Sequence, residues 1–133
     1  MPRKPLGLVL GVIFGVLALV DWAQVLLALV RPSDNPSALV ALHFGTGAAA
    51  GATCWGSWRR ARWTPIAAVV YGALTGALLL ALPSLLNLPL EARAGLRGGA
   101  AAVLLFSLLT AAYFRADARQ SSRQISTERP DGR

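Results

Sequence analysis

The sequence predicts an all-α, polytopic membrane protein, built as an up-down bundle of four transmembrane helices. Three observations lead there. Of the 133 residues, 55% are hydrophobic and 14% charged, whereas a soluble domain carries about 25% charged residues. The apolar residues gather in four runs, each of roughly 20 residues and so able to cross about 30 Å of hydrocarbon. The basic residues sit outside those runs or at their ends, which explains the net charge of +7 without an aromatic-interleaved basic face of the kind that binds nucleic acid. No nucleic-acid partner is expected; the bilayer is the main one.

The first run spans residues 5–30. It follows M-P-R-K and stops at the turn-rich R-P-S-D-N-P. Its apolar character continues well past Asp21, which makes it too long for a secretory h-region, so an uncleaved span is expected. The second run covers 38–58, after Pro36-Ser37. The third covers 64–86 and opens on Thr64-Pro65, an N-cap residue followed by a proline suited to the first helical turn. Pro83 falls near its end and should bend or finish it. The fourth covers 94–114, with Arg97 able to snorkel outward. All four must be helices, because unpaired strands leave backbone groups unsatisfied in lipid. Residues 1–114 thus form one transmembrane domain, and the polar tail 115–133 is expected to be cytoplasmic and disordered.

Orientation follows from the basic residues. Arg3 and Lys4, Arg59, Arg60 and Arg62, and the five tail arginines put ten on one side; Arg31, Arg93 and Arg97 put three on the other. The positive-inside rule places both termini in the cytoplasm. Trp55, Trp58, Trp63, Tyr113 and Phe114 gather on that same side, as an interfacial belt does. Arginine outnumbers lysine 12 to 1, a usage typical of GC-rich bacterial genomes, so the bacterial inner membrane is the expected location.

Within the runs, glycines recur four apart: Gly7, Gly11 and Gly15; Gly47 and Gly51; Gly72 and Gly76; Gly95 and Gly99. Small residues at that spacing line one helix face and let backbones approach closely. Asp21 is the one carboxylate inside a run. It lies three residues outward of the run's middle, about 4.5 Å at the helical rise. Facing lipid there would cost at least about 2.5–3.5 kcal/mol, so Asp21 should face protein. His43 is its natural partner, about 9 Å below the outer end of run two against about 14 Å for Asp21 in run one, and Gln24 spans the difference. The expectation is an Asp21–Gln24–His43 polar cluster, with Thr46 in reach and Arg93 and Arg97 as weaker partners. Such a cluster either fixes helix register or carries protons.

Catalytic signatures are missing: no nucleophile lies beside Asp21 and His43, no carboxylates are paired, and the lone cysteine, Cys54, is a packing residue. Neither a metal nor a cofactor is expected. Arg59, Arg60, Arg62, Arg115 and Arg119 are candidate headgroup contacts. The chain reads as a small non-catalytic membrane component, an accessory subunit or homodimer. A proton-coupled transporter using Asp21 and His43 is the alternative.

Two resemblances bear on this. The size, four helices and an acid in the first helix are similar to the small multidrug resistance transporters, which implies proton-for-cation exchange. The chain departs from that family in having Asp rather than Glu, placed outward of the middle, and in its strong charge bias. Loop two, G-S-W-R-R-A-R-W-T-P, and the ending A-A-Y-F-R-A-D-A-R more closely resemble a loose group of small, uncharacterised bacterial four-helix membrane proteins. That resemblance implies topology and no activity.

Overall fold

The computed structural model describes residues 5–30 and 37–127, with side chains as far as Gln120. Arg3, Lys4, the 31–36 loop with Arg31, and residues 128–133 with Arg129 and Arg133 lie outside the described residues, as does the Arg123 side chain. Four helices account for almost all of the rest: α1 Pro5–Val30, α2 Ser37–Arg59, α3 Thr64–Leu85 and α4 Leu90–Thr127. The fold is therefore all-α.

Boundaries differ from expectation in three places. Helix α4 starts at Leu90 rather than 94, so Arg93 belongs to its first turns; its amide donates to Pro89 O at 3.3 Å. The same helix runs on to Thr127, where a disordered tail was expected from 115. Ala116, Ala118, Arg115, Arg119 and Gln120 are all strong helix formers, and a helix already built in the bundle extends without a new nucleation cost. At the start of α3 the N-cap position belongs to Trp63, with no side-chain cap bond. Thr64 is buried instead and donates its hydroxyl to Ala61 O at 2.7 Å.

The two described turns use the same device. The Ala61 amide donates to Gly56 O at 2.9 Å and the Leu88 amide to Pro83 O at 3.0 Å. These are six-residue closures of the Schellman type, with Arg60 (φ 52°) and Asn87 (φ 50°) in the left-handed position. Pro83 sits inside α3, where its missing amide leaves the carbonyl of Leu79 without its helical donor; the helix ends two residues later, ahead of the left-handed Asn87.

Each helix packs on the next in sequence. Contacts around the glycines give the register. A Cβ at Gly11 would overlap Ser57 Oγ; one at Gly15 would meet Cys54 Sγ at 3.3 Å, one at Gly51 the Ala18 Cβ at 4.0 Å, and one at Gly47 Trp22 at 3.0 Å. Position rises along α1 as it falls along α2, so the pair is antiparallel. In the same way Gly56 faces Thr64 and Gly45 faces Leu74, while Gly72 faces Ser107 and Gly76 faces Leu104. The chain reverses direction three times.

Phe14 closes the bundle. It is fully buried, set edge-on to Tyr71 of α3 at 5.2 Å and stacked on Phe106 of α4 at 5.9 Å. Around it the core is small: Ala18, Ala49, Ala50, Ala68 and Ala111. The large aliphatics point outward, with Leu19 72%, Leu29 66% and Leu109 61% exposed. Small residues inside and large apolar residues outside is the arrangement of helices solvated by lipid.

Among the described residues three helices are long and apolar enough to cross a membrane: α1, α3, and α4 as far as Gln120. Helix α2 is long enough but not apolar enough, which narrows the four-span expectation. The reason lies in its neighbours. Packed on both α1 and α3, it carries His43, Thr46, Thr53, Ser57 and four glycines where the other helices carry leucine and valine. The hydroxyls of Thr46, Thr53 and Ser57 donate back to carbonyls of their own helix, at 3.1, 2.8 and 2.7 Å.

The glycines are not equivalent. A methyl at Gly72 would meet Ser107 Cβ at 2.5 Å, whereas one at Gly95 would meet nothing within 4 Å. Gly95 is thus not a packing residue here: it lies exposed near the start of α4. Gly7, against the Tyr113 hydroxyl, and Gly99, against Leu79, are looser contacts at 3.7 Å. We expect Gly72→Ala to destabilise the protein by about 1–3 kcal/mol through overpacking. Gly95→Ala should be neutral or stabilise by up to about 1 kcal/mol through helix propensity. Unfolding in mild detergent, followed by far-UV circular dichroism, measures both; equal stabilities for the two variants would contradict the α3–α4 register.

Candidate functional site

The feature of interest is the contact between α1 and α2 at Asp21. Gly47 has no side chain, so α1 comes close enough for a Cβ at that position to lie 3.2 Å from Asp21 Cβ. His43 is one helical turn away from Gly47 on the same face of α2. The Asp21 carboxylate reaches it directly: His43 Nδ1 to Asp21 Oδ1 is 3.0 Å. With its proton on Nδ1 the imidazole donates and the carboxylate accepts. Both side chains are mostly shielded, His43 21% and Asp21 15% exposed.

Neighbouring groups frame the pair. Trp22 lies across Gly47 and meets Phe44 edge-on, with ring centroids 5.0 Å apart. Thr46, fully buried, donates to the His43 carbonyl rather than to the carboxylate. On α3, Tyr71 is buried and Thr75 follows one helical turn later on the same face, its buried Oγ1 without a hydrogen-bond partner.

Of the expected cluster, the structure brings Asp21 and His43 together and leaves Gln24 out. Gln24 is exposed and hydrogen-bonds to neither. The helix stagger removes the depth difference that Gln24 was invoked to span. Arg93 and Arg97 are also elsewhere, lining a cleft with Leu79, Leu80, Pro83 and Ser84 of α3. Cys54 packs against Gly15 of α1.

The candidate headgroup contacts Arg59, Arg60, Arg62, Arg115 and Arg119 are all exposed, and the Arg59 guanidinium lies 4.5 Å over the Trp55 ring. Sequence reasoning passed over three buried hydroxyls without partners: Thr75, Ser107 and Tyr113. Thr75 and Ser107 were detectable as polar residues inside apolar runs. Tyr113 was assigned to the interfacial belt, but its hydroxyl turns inward toward Gly7.

Among the described residues no group of three or more His, Cys, Asp or Glu side chains is placed to hold a metal ion. Comparison of the chain with protein-family models, curated proteins and solved structures yields no match.

If the Asp21–His43 contact carries energy, it will appear as non-additivity. A double-mutant cycle with Asp21→Asn and His43→Phe should return a coupling of about 0.6–1.7 kcal/mol, the range found for polar contacts between membrane helices. Additive single effects would mean that the two side chains lie together without stabilising one another.

Proposed function

We propose that this chain is a small, non-catalytic integral membrane protein of the bacterial inner membrane. Its four helices all cross the bilayer, both termini are cytoplasmic, and it works as an accessory subunit or as a homodimer. The observation that carries this reading is the partition of side chains: alanine, glycine and threonine in the core, leucine and valine over the outer surface. Water would penalise that surface; hydrocarbon does not. Although α2 falls short on hydropathy, its flanking neighbours cover much of it. Its hydroxyls are satisfied within the helix, and its one histidine is bonded to Asp21. The ten-to-three distribution of basic residues supports the cytoplasmic assignment of the termini. In this reading the Asp21–His43 pair fastens α1 to α2 in one register.

Topology is directly measurable. Alkaline phosphatase fused after Leu88 should be active and the same enzyme fused after Arg60 inactive, since only the first would be exported. Activity at Arg60 would reverse the orientation, and activity at neither or both would contradict a spanning α3.

A second reading, a proton-coupled transporter of a small solute or cation, is favoured by the residual exposure of the pair. In liposomes it predicts dissipation of a pH gradient that Asp21→Asn abolishes while insertion is kept. The first reading predicts no flux above that of empty vesicles.

A further inference from the structure

We propose that the cleft between the end of α3 and the start of α4 binds the phosphodiester of an anionic phospholipid, which rests on the membrane reading above. The cleft, of about 180 Å³, is lined by Leu79, Leu80, Pro83 and Ser84 from α3 and by Arg93 and Arg97 from α4. The two arginines are four residues apart, so they are neighbours on one helix face. Both are exposed, and among the described residues no carboxylate pairs with either. Two like charges held side by side repel, and an anion between them removes that penalty.

Donor geometry fits the same ligand. Arg93 uses Nε to hold Leu88 O at 3.2 Å, which anchors its side chain and leaves its terminal nitrogens free. Arg97 keeps all of its donors. A guanidinium presents them in a planar fork that matches two oxygens of a phosphate. Opposite the arginines the wall is formed by Leu79, Leu80 and Pro83, with Ser84 its one polar residue, whose hydroxyl donates to Ala81 O, and Leu80 is 54% exposed. A free anion has no use for that wall, whereas a phospholipid lays its acyl chain there while the phosphate meets the arginines. The residues sit at the α3–α4 turn, where the apolar stretches of both helices end and headgroups lie. This site is separate from the arginines around Trp55 and Trp63, at the other end of α3.

The test uses the full-length protein in neutral detergent, with bound lipid counted by native mass spectrometry. The probes are phosphatidylglycerol, zwitterionic phosphatidylcholine and inorganic phosphate. Wild type should prefer phosphatidylglycerol over phosphatidylcholine by at least about tenfold, and equimolar phosphate should not displace it. Arg93→Gln/Arg97→Gln should remove the preference, Arg97→Gln alone should reduce it by about threefold or more, and Leu109→Ala, at an exposed position of α4 outside the cleft, should leave it intact. Retention of the preference by the double variant overturns the assignment. Displacement by phosphate overturns the lipid as its source in favour of a free-anion site. Carbonate extraction of membranes reads insertion separately: a wild-type chain released by carbonate defeats the membrane reading itself. Should the double variant alone be released, Arg97→Gln decides the assignment.

Discussion

Close approach of helix backbones is the constraint on which the rest of this structure depends. In the membrane reading proposed above, hydrocarbon supplies no hydrophobic drive between apolar helices, so dispersion contacts at short range hold them together. The chain meets that demand with glycines and alanines along each interface. Gly11, Gly47, Gly56 and Gly72 are the tightest points, where a single methyl group would already crowd the partner helix. Gly47 has a second effect. By admitting α1, it brings Asp21 within bonding distance of His43. The polar contact is therefore a product of the packing, and a bulkier residue at position 47 would press on Trp22 and on Asp21 itself.

Polar groups inside such a bundle have few ways to be satisfied, and the chain uses two. Hydroxyls on α2 bond back to carbonyls of their own helix, which needs no partner from another element. Asp21 and His43 bond across helices. Thr75, Ser107 and Tyr113 follow neither pattern, since their buried oxygens have no partner. Each unsatisfied hydroxyl costs roughly 1–3 kcal/mol.

Helix α2 separates what hydropathy measures from what packing requires. Its sequence is rich in glycine, alanine and threonine because it faces protein on two sides. A hydropathy criterion asks whether a helix would insert alone; α2 does not need to be read alone. The reverse holds for α1, whose leucines and valines face outward and whose one acid is covered by its neighbour.

Helix number, helix type and most boundaries were legible in the sequence, because apolar runs of membrane length admit no other secondary structure. Asp21 and His43 could be named as partners for the same reason, being the one acid and the one imidazole in those runs. Contacts that depend on stagger were not legible. The direct reach of Asp21 to His43 without Gln24, the idleness of Gly95, the inward turn of Tyr113 and the meeting of Arg93 and Arg97 with Pro83 are set by how far one helix slides along another. Periodicity along a single helix gives the face a residue occupies, but not the depth at which the neighbouring helix meets it. That offset comes from the turns at Arg60 and Asn87 and from steric fit around Phe14. Composition and run length thus determined the solvent this chain is suited to, and only the packing of four helices against one another decided which of its polar and charged residues meet.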